Sequence, residues 1–487
     1  MTLGEFIQRT IGLLGFAPNA QQRMVIESLA RFCSPGVNRA LEEARGSLDR
    51  VFVLNGYAGT GKTSLCGALV RALAEAGIRS VLMAPTGRAA KVFSAFAGSP
   101  AYTIHRKIYR HALGAGAPGL QENHSSDTIF IVDEASMIGA EGDGGGYTSE
   151  AGLLLDLVQY VYSGERCRLV LIGDTAQLPP VGSDVSPAMN VDVLRSLGLS
   201  VSRATLTAVA RQDYCSGILA NATRLRRQMR QLEAGEQPGM PQFSDTDGFG
   251  NRYGDVIFTD PADLPEAIET CYRRDGIDQT VLITRANRTA VDFNRAIRNQ
   301  VLYLDEELCG GELLMVAKNN YYWSRRVKGL DFIANGDTLA VVRVYGTEER
   351  YGLRFANVRL TLPDNETVVF DAKIMLDTLC ADATGMAPGH GRRLYEGILA
   401  EAGGGDPAAV PADARGRLLA QSPYWNALQV KYAYAVTCHK AQGGQWQNVF
   451  VDAGYVPDEA NGAELYRWLY TAVTRARTRL FIIRPAD

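Results

Sequence analysis

Residues 56–63 read GYAGTGKT, at the end of the strand-like run RVFVLNG and leading into a stretch with helical spacing over 62–76. A glycine-rich turn in that context is a phosphate-binding loop, and it dictates much of the fold. The loop works only where a strand feeds a helix whose N-terminus faces the ligand, so the chain must contain an α/β core. Gly56, Gly59 and Gly61 let backbone N–H groups turn inward around phosphate oxygens. Lys62 reaches the β/γ-phosphates of ATP, and the Thr63 hydroxyl is suited to Mg²⁺. A second apolar run ends in IVDEAS at 131–136, where two adjacent acids follow the lysine by 71 residues. An apolar strand ending in Asp-Glu is by itself an ordinary charge pair. Partnered with the loop, Asp133 holds the metal through water and Glu134 orients and deprotonates the attacking water.

The strand-helix alternation continues through SVLMAP, TIFIVDE and RLVLIGD, and a second set follows in QTVLITR, YAYAVTCHK, NVFVDAG and TRLFIIR. Apolar runs of this kind describe parallel sheets covered on both faces. Between the sets, residues 331–376 alternate with period two around the turn signals NGD and LPDNE, which predicts an antiparallel module inserted into the second α/β domain. The 487 residues suit about three domains at about 150 residues each. The expected division is 1–210, then 211–312 with 422–487, and the insert at 313–421. Three Gly/Ala/Pro-rich stretches, 112–120, 140–147 and 402–415, predict loops.

Charge and cysteine content exclude several classes. Lys plus Arg is 50 against 53 acids, net −3, so no whole-molecule positive field draws a polyanion, and any nucleic acid must meet a local groove. The eight cysteines are scattered without a C-x-x-C pair, which predicts reduced thiols in a cytoplasmic protein. MTLGEFIQRTIGLLGF carries charges within its apolar stretch and no cleavage site, so it predicts an amphipathic helix. No run reaches the about 18 apolar residues of a membrane span.

Further runs follow in order: NAQQ (19–22), APTGRAAKV (84–92), TIH (103–105), GDTAQLPP (173–180), LTAVARQ (206–212), NGD (335–337), VTCHKAQGGQW (436–446) and YTAVTRAR (470–477). Together they resemble the superfamily 1B helicases of the RecD and Dda type over roughly residues 16–484. The resemblance implies two RecA-like domains with parallel sheets, an SH3-like barrel in the second, and 5′→3′ movement on single-stranded DNA by a monomer. Its partners would be single-stranded and tailed duplex DNA, and its cofactors ATP and Mg²⁺. It assigns Gln22 to the adenine edge, with Gln21 as a shift in register, and Asn19 stands where Thr or Ser is more usual. Thr60 and Ser64 join the nucleotide loop, and Gln177 senses the γ-phosphate. Arg211 and Arg475 enter as arginine fingers from the second domain, where a guanidinium fork meets transition-state charge. Thr86, Arg88, Thr103, His105, Thr437, His439 and Lys440 are assigned to the DNA backbone, a sequence-tolerant and salt-dependent contact. His105 and His439 also read as buried hinge residues.

The chain departs from Dda-like members between TIH and DEAS, where residues 107–127 are short and glycine-rich and no rigid wedge is evident beyond Tyr109 and His111. An ATP-driven clamp that does not separate strands therefore stands beside the helicase reading. A UvrD-like 3′→5′ polarity is the nearest rival within the enzyme class, and the TIH run and barrel insert argue against it. Arg224, Arg226, Arg227 and Arg230 read as a solvated helix face, with a DNA contact as the alternative. Arg479 and Arg484 read as a basic edge. In KNNYYWSRRVK (318–328), aromatics beside cations can stack bases, although Tyr322 and Trp323 read equally as anchors of the barrel.

Overall fold

The computed structural model describes residues 1–36, 49–109, 119–139, 152–180, 182–209, 216–236, 239–325, 327–328, 330, 332–363, 365–382, 385–454 and 462–484. It divides into two compact units: Met1–His111, Ala117–Pro241 and Gly462–Thr471 in the first, Gln242–Asn461 and Ala472–Asp487 in the second. The first unit thus runs past the expected boundary at 210, because the helix Gly217–Glu233 and the segment Gly462–Thr471 belong to it.

The first unit is built on six parallel strands, β1 (Arg50–Gly56), β2 (Ser80–Ala84), β3 (Ala101–Thr103), β4 (Ile129–Val132), β5 (Arg168–Gly173) and β6 (Ser200–Leu206), in the order β3-β2-β4-β5-β1-β6. Period-two alternation sends Phe52, Leu54, Ile131 and Ile172 to one face, where Leu29, Leu69 and Phe93 cover them. Val51, Val53, Phe130 and Leu171 go to the other, under Ile104, Ile108, Leu157 and Leu194. Burial on both faces explains why these strands read as continuous apolar runs. The N-terminal helix Leu3–Gly12 forms as expected and is closed by a capping box between Thr2 and Glu5. Asn19 caps the next helix, Ala20–Cys33, as well as Ser or Thr would, accepting from the Gln22 N–H at 2.8 Å.

The second unit holds β7 (Val256–Thr259), β8 (Thr280–Thr284), β14 (Ala435–Thr437), β15 (Trp446–Val451) and β16 (Ala476–Ile483), all parallel, in the order β14-β8-β15-β16-β7. It also holds a closed barrel of β9 (Leu313–Val316), β10 (Thr338–Arg350), β11 (Leu353–Leu362), β12 (Asn365–Met375) and β13 (Leu428–Tyr432). Two RecA-like sheets plus a barrel is the expected architecture. The barrel is antiparallel except where β13 runs parallel to β12. YAYAVTCHK is not one strand: Tyr432 ends β13 of the barrel, and Ala435 begins β14 of the sheet. The stretch 402–415 is not simply a loop either, since Pro407–Ala409 is a 3-10 turn and the helix Ala412–Gln421 begins inside it. Residues 112–118 and 140–147 lie outside the described residues. No helix among the described residues is long and apolar enough to cross a membrane.

The barrel is fixed to its host domain by a buried ion pair. Arg298 Nε lies 2.7 Å from Glu312 Oε2, and Nη2 lies 3.0 Å from Oε1. Glu312 also accepts from the Cys309 N–H at 2.8 Å and the Tyr434 hydroxyl at 3.3 Å. Arg479 pairs with Asp275 at 2.6 Å in a partly buried contact, and Arg484 pairs with Asp260 at 3.1 Å on the exposed surface. Removing one partner of a buried pair strands the other charge, at about 3–5 kcal/mol, whereas removing both with apolar replacements costs far less. Arg298→Met should therefore lower unfolding free energy in urea by about that amount. Arg298→Met/Glu312→Leu should recover most of the loss.

Candidate functional site

Because all strands of the first sheet are parallel, their C-terminal ends share one edge, where ligands bind in open α/β sheets. β1 delivers the glycine loop there, β4 delivers Asp133 and Glu134, and β5, which lies between them, delivers Asp174 and Gln177. Thr86 follows β2 and Thr103 ends β3 at the same edge.

Within the loop, Gly59 and Gly61 hold φ of +71° and +82°. A Cβ on Gly56 would come within 2.5 Å of Lys62 Cγ, so the glycines are required by geometry. Lys62 Nζ donates to the carbonyls of Gly56 and Tyr57 and lies 3.7 Å from Asp174 Oδ2. Thr60 is buried, its hydroxyl donating to Tyr57 O at 2.7 Å, while Thr63 and Ser64 stand half-buried in the first helical turn. Gln22 donates from Nε2 to Thr60 O at 3.0 Å and accepts the Asn19 N–H at 3.0 Å, so it ties its helix to the loop. Gln21 is engaged elsewhere, its Oε1 accepting the N–H groups of Thr207 and Ala208 at 2.8 and 3.0 Å.

Asp133 accepts its neighbour's N–H at 2.9 Å. Burial, and then the charge of Glu134, push its carboxyl above the usual carboxylate range, with Lys62 opposing. Glu134 sits in the left-handed region at φ +53°, a strain of about 1–3 kcal/mol in a non-glycine residue of the kind found at working sites. Close approach of the two strand ends makes Gly173 obligatory, since a Cβ there would lie 2.9 Å from Ser136 N. Gln177 is 6% exposed and its Oε1 has no protein partner, so a buried acceptor is available beside the loop. Thr63 and Asp133 supply the hard oxygen donors that Mg²⁺ takes alongside phosphates and water, so the residues present fit ATP·Mg²⁺.

Three residues here were not singled out from sequence. Asp174 is fully buried and accepts the Ala176 N–H at 3.0 Å and the Tyr470 hydroxyl at 2.8 Å. Tyr470 in turn accepts the Ala58 N–H at 2.8 Å. Asn55 Oδ1 receives the Thr175 N–H at 3.1 Å. The signal for the first two lay in GDTAQ and YTAVTRAR, where attention falls on the glutamine and the arginine. Arg226 is buried, contrary to the solvated-face reading, while Arg224, Arg227 and Arg230 are exposed.

The residues assigned to DNA divide between the units. In the first, Thr86 caps its helix by accepting from Ala89 N–H and Thr103 does so from Arg106 N–H, each at 3.2 Å. Arg88 and His105 are half-buried. In the second, Thr437 is buried, Lys440 half-buried and His439 exposed, so His439 is not a buried hinge. Arg475 is also in the second unit, 3% exposed, donating to Gly444 O at 3.3 Å and Thr474 Oγ1 at 3.2 Å. Arg211 and His111 lie outside the described residues. Tyr109 does not cap a wedge: it is buried, donating its hydroxyl to Asp156 Oδ2 at 2.5 Å. Trp323 Nε1 donates to Asn426 O at 2.8 Å and Tyr322 to Gln421 O at 3.1 Å, the anchoring alternative for both.

Residues 33–245 match the AAA domain family, and residues 432–483 match the UvrD-like helicase C-terminal domain. Over 176 residues the chain is 34% identical to the ATP-dependent RecD2 DNA helicase of Deinococcus radiodurans, covering 36% of this chain and 21% of that protein. The chain thus matches about a fifth of that relative's length. An uncharacterized protein of Methanocaldococcus jannaschii is 38% identical to it over 60 residues, 12% of this chain and 5% of that one. A crystal structure of Pif1 helicase from Bacteroides with ADP-AlF3 and ssDNA is 14% identical, covers 92% of each chain and superposes with a TM-score of 0.42.

Lys62→Ala and Glu134→Gln should both abolish ATP turnover while separating in affinity. The first loses a charge that holds nucleotide; the second loses a base worth about 10²–10⁴ in rate and keeps the nucleotide. A fluorescent ATP analogue should bind the Glu134→Gln variant like wild type and the Lys62→Ala variant much more weakly.

Proposed function

We propose that the chain is an ATP-dependent DNA helicase that moves 5′→3′ on single-stranded DNA. The observation that carries the reading is the convergence, at one sheet edge, of the glycine loop with Lys62, the Asp133–Glu134 pair and the buried acceptor of Gln177. Bound ATP·Mg²⁺ would present the γ-phosphoryl group to water at this edge. Glu134 would take the proton of that water, Thr63 and, through water, Asp133 would hold the metal, which would offset phosphate charge, Lys62 would hold the β/γ oxygens, and Gln177 would respond to the γ-phosphate. Arg475 and Arg211 are the transition-state arginines of this reading, and the match to the UvrD-like helicase C-terminal domain supports the part assigned to Arg475.

Tyr109 and Leu120 form an antiparallel bridge, and the Gln121 N–H donates to Ile108 O at 2.7 Å, while residues 110–118 lie outside the described residues. Polarity is tested by unwinding of 5′-tailed, 3′-tailed and blunt fluorescent duplexes. Product from the 5′-tailed substrate alone is expected; product from the 3′-tailed duplex alone would reverse the polarity, and ATPase without product from any would favour the clamp.

Lys440 gives this reading a pH signature. Burial and then the nearby Lys431 charge lower its pKa to about 8, so it is charged below that pH and neutral above it. A phosphate partner favours the charged form, so single-strand affinity should fall as pH rises from 7 to 9, by at most about tenfold per unit. Lys440→Gln should bind more weakly at pH 7 and lose most of that slope in fluorescence anisotropy.

A further inference from the structure

The helix Gly217–Glu233 turns Ile218, Ala222, Leu225, Arg226 and Met229 inward, a helical stripe in which one member is an arginine. Arg226 is 7% exposed. Its guanidinium carbon lies 4.3 Å from the centroid of the Tyr57 ring, the second residue of the glycine loop. Nη2 donates to Thr207 O at 3.3 Å, at the end of β6, and Nε is buried with no protein partner. No carboxylate forms an ion pair with it among the described residues. Asp174 acts on it electrostatically, but that carboxylate already faces Lys62 and accepts from Tyr470 and Ala176.

A guanidinium withdrawn from water, with one donor unspent and no carboxylate in contact, is costly unless an anion completes it. The groups around it belong to the loop that cradles phosphates, and a planar fork of N–H donors matches phosphate oxygens. We propose that Arg226 is a phosphate-binding residue of the nucleotide site, supplied by the same unit as the loop and steadied on the Tyr57 ring. This rests on the reading of residues 56–63 as a nucleotide loop. It gives the site a cation independent of Arg211 and Arg475, one that favours triphosphate over nucleoside before any second unit takes part.

The test is competition against a fluorescent ATP analogue by ATP, ADP and adenosine, for wild type, Arg226→Gln, Arg226→Lys and Tyr57→Leu, with melting curves on each. Arg226→Gln should weaken ATP at least tenfold and adenosine less than twofold, with Arg226→Lys between the two and Tyr57→Leu losing less than Arg226→Gln. ATP binding within twofold of wild type, or equal losses for ATP and adenosine, would overturn the assignment. If Arg226→Gln fails to fold, Arg226→Lys and Arg226→Met decide it: the lysine variant must keep the higher preference for ATP over adenosine, and equal preferences refute the proposal. Lys62→Ala serves as the control for the loop itself. Undiminished ATP affinity in that variant would sink the nucleotide-loop reading, whereas an effect of Lys62→Ala without one of Arg226→Gln would sink only the role of Arg226.

Discussion

Asp174 has no exposed surface, and the nucleotide edge of the first unit is arranged around its charge. It stands at the end of β5, between the strand that carries the loop and the strand that carries the paired acids. Lys62 faces it at 3.7 Å, Tyr470 donates to it, and Tyr470 is at the same time held by the Ala58 N–H. A buried carboxylate is tolerated only while such partners balance it. Any phosphate that draws Lys62 away therefore changes the balance at Asp174, whose carbonyl anchors the Gln177 N–H at 3.2 Å. Nucleotide and strand-end loop are linked by one charge.

Sequence made legible what depends on backbone geometry. Gly56, Gly59 and Gly61 announce a loop because no other residue fits there, and Gly173 belongs to the same class. The two parallel sheets were legible because burial on both faces leaves uninterrupted apolar runs. The division of YAYAVTCHK between barrel and sheet was not, since a barrel strand and a sheet strand are equally apolar and here nearly abut. Arg226 was hidden by its neighbours: four arginines within seven residues look like a solvated face, and only the helical phase of Ile218, Ala222, Leu225 and Met229 turns one of them inward. Tyr109 was misread for a related reason, because the acceptor that allows its burial, Asp156, is 47 residues away. Asn19 and Gln22 show the converse case, where a local pairing three residues apart is readable directly as a helix start.

The barrel interrupts its host domain, yet the interruption is sealed where it begins. Its first and last strands pair with each other, Val316 opposite Val430 and Leu314 opposite Tyr432, so the outgoing and returning chain are zipped together. The host domain therefore meets a fixed pair of attachment points whatever lies beyond them. Lengthening a distal loop such as the one joining β11 to β12 adds only the slowly growing closure entropy of that loop and leaves the spacing of the attachment points unchanged. The inserted module is in this sense a graft with a closed wound, free to vary in size and surface while the parallel sheet of its host stays as it is.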